Sequence, residues 1–112
     1  MNGRLGAIYI GSKQVGGFID WYVKMNLADG VQGDDRTHKL QSWSIRTWGH
    51  WLIRLLEPGT KVRLKLCADA GMAYWEADGA VASPSTKSLN MLVHAPLDFI
   101  GNGELKAKVQ DE

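Results

Sequence analysis

The chain has 112 residues, 13 basic and 12 acidic, for a formal charge of +1, and 45% of it is apolar. A near-neutral balance argues against a dedicated nucleic-acid binder, which carries a strongly basic face, and the length suits one domain with one core. The single cysteine, Cys67, excludes an intramolecular disulfide. No stretch approaches the roughly 18 uninterrupted apolar residues needed to span a bilayer, so a soluble protein made in the cytoplasm is expected.

In chain order, Met1 to Leu5 reads as a loose lead-in, Ala7 to Ile10 as a short strand, and Gly11-Ser12-Lys13-Gln14 as a tight turn. From Val15 to Leu27, Ile19, Trp21, Val23, Met25 and Leu27 alternate with Phe18, Asp20, Tyr22, Lys24 and Asn26, so the odd face is expected to meet the core. Gly16-Gly17 is expected to mark a bulge or bend. More generally, the 13 glycines read as punctuation between strands of a β-rich fold.

Ala28 to Thr37 breaks the alternation with two glycines and three aspartates. A connection of this length is uncommon unless it has a use. It reads either as a mobile surface excursion or as a partner-contacting arm. Asp29, Asp34 and Asp35 lack the spacing of a calcium loop. Lys39 to Thr47 resumes as a strand. Trp48, Trp51, Leu52, Leu55 and Leu56 then fall at helical spacing, which predicts one short flanking α-helix at about 50–56, ended by Pro58-Gly59; a continued strand is the alternative.

Lys61 to Ala82 is the most strongly patterned stretch. Val62, Leu64 and Leu66 alternate with Lys61, Arg63 and Lys65, and a second run follows the turn-rich Ala68 to Gly71. If Cys67 pairs with Met72, Lys65 faces Tyr74, Arg63 faces Glu76, Lys61 faces Asp78, Leu64 meets Trp75 and Val62 meets Ala77. Opposite charges across strands then help fix the register. Beyond the polar connection at 83–88, the last strand region runs from Leu89 to Ile100. Pro96 inside it predicts an edge or a bend. A loose tail is expected from 106 to 112.

Catalytic chemistry is not evident. His38, His50 and His94 show no metal-ligand spacing and read as surface or packing residues. Gly101-Asn102-Gly103 lacks the setting of a phosphate loop. No cofactor or metal is called for, and no enzyme activity is expected. Five tryptophans, Trp21, Trp43, Trp48, Trp51 and Trp75, are many for this length. A domain of this size buries only about two thirds of its unfolded surface, so some aromatics, Trp48 and Trp51 foremost, are candidates for an interface. A small carbohydrate-binding β-sandwich module stacking sugars on Trp48, Trp51 or Trp75 is the alternative reading.

Several motifs occur in a suggestive order: Tyr9-Ile-Gly-Ser-Lys-Gln-Val15, Ile19-Asp-Trp-Tyr-Val23, Trp43, Leu55 to Leu66, Ala73-Tyr-Trp-Glu-Ala-Asp-Gly79 and Leu97 to Leu105. In that order the chain resembles the tail tube proteins of long-tailed phages over about residues 5 to 106. The resemblance implies a mainly β subunit, an antiparallel β-sandwich or partial barrel with one flanking helix. Such subunits form hexameric rings whose inner strands join into one barrel, and the rings stack into the conduit for DNA ejection. Its partners would be copies of itself and other tail proteins, with DNA only as cargo and no membrane, and its place would be the virion tail. Asp29, Gly30, Val31, Gln32, Gly33, Asp34, Asp35 and Arg36 would form the inter-ring contact loop. The first, second, third and last strands would make lateral contacts. Of the central hairpin residues Lys61, Arg63, Lys65, Tyr74, Glu76 and Asp78, the three basic ones would conflict with the acidic lumen of that family if they pointed inward, unless Glu76 and Asp78 neutralised them; the alternative is that this face looks outward. A tail connector or type VI secretion tube ring is a related possibility.

Overall fold

The computed structural model describes residues 1–27, 41–54, 56–68, 73–83, 96–103 and 105–109. Its strands are β1 (Asn2–Ile10), β2 (Lys13–Leu27), β3 (Gln41–Trp48), β4 (Trp51–Leu52), β5 (Lys61–Cys67), β6 (Ala73–Ser83), β7 (Leu97–Asn102) and β8 (Lys106–Val109). All pairings are antiparallel. The order β1-β5-β6-β7-β3-β2 returns to β1 through the β1–β2 pair, closing a six-stranded barrel. Three consecutive strands, β1 to β3, are thus followed by β5 beside β1, the Greek-key arrangement. β4 and β8 are additions outside the ring, on β2 and β6. The expected mainly β, antiparallel architecture is present, as a closed barrel rather than a sandwich.

Inside the barrel, Ile8, Phe18, Trp21, Trp43, Ile45, Leu64, Leu66, Leu97 and Phe99 are at most 2% exposed. Thr47 is buried with them, and its hydroxyl donates to the Leu97 carbonyl at 3.0 Å, whereas the buried Trp21 Nε1 has no hydrogen-bond partner among the described residues. Glycines make room for the large rings. A Cβ on Gly3 would sit 2.5 Å from the Trp21 ring, one on Gly6 would strike the Phe18 ring, and Gly79 and Gly101, paired across β6 and β7, leave the slot that holds Trp43. These glycines are the small half of a large-and-small packing pattern rather than turn residues.

The odd face of β2 does not run unbroken into the core. Phe18 is buried while Ile19 is 45% exposed, and Trp21 and Val23 are buried again. Both strands of the β1–β2 pair switch faces at this point: Gly3 and Gly6 lie against Trp21 and Phe18, although they differ in parity. Leu5, between them, has φ 68, the left-handed backbone that turns the strand over. Near the other end, Val15 is an extra residue between the pairs Ile8–Gly16 and Tyr9–Gln14. The expected bulge is therefore beside the glycine pair. Met1 to Leu5 is not a lead-in either, since Asn2, Gly3 and Arg4 pair with Tyr22, Trp21 and Asp20.

The flanking helix expected at 50–56 is not formed among its described residues. Trp51 and Leu52 pair with Gly17 and Gly16, and the Ile53 amide donates to the Val15 carbonyl at 2.8 Å. Gly16 permits this approach, since a Cβ there would lie 2.6 Å from the Trp51 carbonyl oxygen. Gly49, at φ 65, redirects the chain ahead of it. The tail expected to be loose from 106 is also ordered in part, because Lys106–Val109 finds the free edge of β6. Pro96 precedes β7 instead of interrupting it, so β7 is an interior strand between β6 and β3.

Candidate functional site

The central hairpin forms with the expected faces and a different register. Cys67 pairs with Tyr74, Lys65 with Glu76, Arg63 with Asp78 and Lys61 with Ala80, a shift of two residues from the register expected from sequence. On the buried side Leu66 meets Trp75, Leu64 meets Ala77 and Val62 meets Gly79. A two-residue slip keeps every side chain on its face, so alternation alone cannot detect it. The turn decides: the Ala68 amide donates to the Ala73 carbonyl at 3.0 Å, one step further along both strands than the Cys67–Met72 closure. Arg63 Nε then reaches Asp78 Oδ1 at 3.3 Å, and Lys65 still meets Tyr74, diagonally, with its Nζ 4.6 Å from the ring centroid. This charged face looks out of the barrel.

Next to the hairpin, the outer surface of β5, β6, β7 and β3 dips into an open depression of about 810 Å³. Its floor is made of small groups, Ser44, Ala80, Gly79 and Gly101, around the half-exposed Ile100, with Lys61 and the Arg63–Asp78 pair on one wall. A second hollow, about 390 Å³, continues past Ile100 toward Tyr22 and Lys24. It is edged by Arg46, whose Nε and Nη2 donate to Asp98 at 2.9 and 3.1 Å. These hydrogen bonds, and then the charge of Asp98, raise the Arg46 guanidinium above its ordinary value. Among the described residues, the acids in the two hollows are Asp78 and Asp98, and both are paired to arginines, so the arrangement suits contact rather than proton transfer. Ser42, Ser44 and Ala80 are outward-facing positions with short side chains, the one trace of this hollow in the sequence.

On the opposite side, β1, β2 and β4 carry a second candidate surface. The Trp51 indole lies over Gly17, with Nε1 2.9 Å from where a Cβ would be, and remains 52% exposed. Beside it on β2 stands Ile19, across from which Leu5 lies between the Arg4–Asp20 and Gly6–Phe18 pairs. Ile53 follows Leu52 at the outer rim and is 65% exposed. Together they form an apolar strip that crosses β1 and β2 and ends at β4, whose other edge has no partner among the described residues. Of these four, sequence reasoning singled out only Trp51. Leu5 and Ile19 are brought outward by the face switch, which has no local signature.

The other expected site residues are dispersed. Trp48 is half-buried at the end of β3, opposite Asp20. Trp75 packs edge-on to Trp21, with centroids 6.3 Å apart. The loop residues Asp29 to Arg36 lie outside the described residues, as do His38 and His94. The first three strands and β7 spend most of their edges inside the barrel, so lateral edges remain chiefly at β4, at β8 and at Asn2 to Leu5. Among the described residues, no three His, Cys, Asp or Glu side chains group closely enough to hold a metal ion. His50 is half-buried, its Nδ1 has no hydrogen-bond partner among the described residues, and desolvation lowers its pKa from the usual 6.5. No known protein family, curated protein or solved structure matches the chain.

Proposed function

We propose that the chain is a structural assembly subunit, a ring-forming protein of the tail tube kind that its sequence resembles. The observation that carries this reading is the strip of Leu5, Ile19, Trp51 and Ile53, which ends at the edge of β4 that has no partner among the described residues. Exposed strand edges pair with other chains unless they are blunted by charge or proline, and this one is flanked by apolar side chains instead. Stacking copies through it buries the strip and satisfies the edge. The Asp29 to Arg36 loop is the proposed contact between successive rings, and DNA would pass as cargo.

Light scattering and negative-stain microscopy of the purified protein across a concentration series test the reading. Rings or tubes with a central hole are expected, and Trp51→Glu with Ile53→Glu should return a folded monomer. A monomer at every concentration overturns it. The carbohydrate-binding alternative retains Trp51 as an exposed platform, since Trp75 is turned edge-on to Trp21. It predicts a monomer whose tryptophan fluorescence changes on titration with glycans.

A further inference from the structure

We propose that assembly is head to tail: the apolar strip of one copy seats in the depression over β5, β6, β7 and β3 of the next, a contact that rests on the assembly reading above. The two surfaces lie on opposite sides of the barrel. β2, which carries Ile19 and holds β4, and β6, in the floor of the depression, are three strands apart in either direction round the ring, through β1 and β5 or through β3 and β7. One copy can therefore use both surfaces at once. A contact between unlike surfaces of one chain repeats from copy to copy, whereas a strip that met a second strip would stop at a pair.

The two surfaces match in size and chemistry. Leu5, Ile19, Trp51 and Ile53 are each 45–65% exposed. Together they offer on the order of 400 Å² of apolar surface, about half of the roughly 800 Å² per partner in a stable interface. The rest of such an interface is a polar rim around an apolar centre. The two hollows meet at Ile100, which is 52% exposed, and are rimmed by the Arg63–Asp78 and Arg46–Asp98 pairs. A space of about 150 Å³ holds a benzene ring, so about 810 Å³ over the short side chains of Ser44 and Ala80 admits the Trp51 indole together with Ile53. The edge of β4 finds partners as well. The Ile53 amide points at the Val15 carbonyl, and backbone groups alternate in direction along a strand, so those of Leu52 point away from β2, where they have no partner among the described residues. Ser42, Ser44 and Asn102 line the depression with side chains that both donate and accept hydrogen bonds.

Two variants, each lacking one surface, test the contact. Trp51→Glu with Ile53→Glu charges the strip. Ser44→Glu with Ala80→Glu charges the floor of the depression and sets each new carboxylate across from a lysine, Lys24 or Lys61, so the barrel is kept. Thermal melts check that both are folded, and Ala80→Glu alone is the milder second variant. In sedimentation velocity across a concentration series, the wild-type chain is expected to form large assemblies and each variant alone to be a monomer. An equimolar mixture has one intact strip and one intact depression, and should give a species of two chains and nothing larger. Wild-type-sized assemblies of the depression variant, or a mixture that stays monomeric, overturn the head-to-tail contact and leave the assembly reading standing. Assembly of the strip variant, or a wild-type chain that is monomeric throughout, overturns both.

Discussion

At the scale of single residues, the barrel is made by pairing each large ring with an absent side chain. Gly3 faces only the Trp21 ring, with no backbone atom among its nearest neighbours. Gly3→Ala should therefore lower stability by about 1–3 kcal/mol through overpacking, and Trp21→Phe in that background should recover part of it. Urea unfolding of the two single variants and the double variant reads this directly, and additive losses would refute the contact. His50 gives a pH dependence. Its folded pKa lies below the unfolded value of about 6.5 because burial disfavours the charged form. The unfolded chain thus binds the proton more readily; stability is complete above about pH 6.5 and declines as pH falls through the lowered folded value. His50→Gln should flatten that slope in thermal melts recorded from about pH 7 to pH 5.

At the scale of elements, the hairpin separates what alternation specifies from what a turn specifies. Faces of β5 and β6 follow from Val62, Leu64, Leu66 and Ala77, whose apolar side chains have one dry side to occupy. Register follows from closure at Ala68 and Ala73. A double-mutant cycle distinguishes the two registers: Arg63 and Asp78 should show a coupling of about 0.2–1 kcal/mol, and Arg63 and Glu76 none beyond error. β4 makes the complementary point, since the helical spacing of Trp48, Trp51, Leu52 and Leu56 is overridden by three residues' worth of hydrogen bonds to β2. For the loop, deletion of Gly30 to Asp35 is expected to leave a folded subunit that no longer forms tubes. Circular dichroism and negative stain check the two halves of that statement, and normal tubes would remove the loop from the contact.

For the whole molecule, closure comes from β1 and β5, which lie about fifty residues apart and meet over Gly6 to Tyr9. Once closed, the ring leaves few edges among the described residues, chiefly those of the two additions and of Asn2 to Leu5. β8 is blunted by Lys106 and Lys108, while β4 is bordered by Trp51 and Ile53. Truncation after Leu105 removes β8 without opening the six-stranded ring. The truncated chain should keep its cooperative thermal unfolding, losing Lys106 and Lys108 with no loss of the barrel; a non-cooperative melt would show that β8 belongs to the core structure. The sequence by itself determined the β class, the positions of β2, β3, β5 and β6, and the wet and dry sides of the hairpin, because alternation with period two is a local property of the chain. Only the tertiary structure decided the register, the face switch at Leu5, the strand at Trp51, and the gathering of the apolar strip from β1, β2 and β4. Each of these depends on hydrogen bonds or ring contacts between segments distant in sequence, where a missing Cβ in one strand makes space for a side chain or a backbone from another.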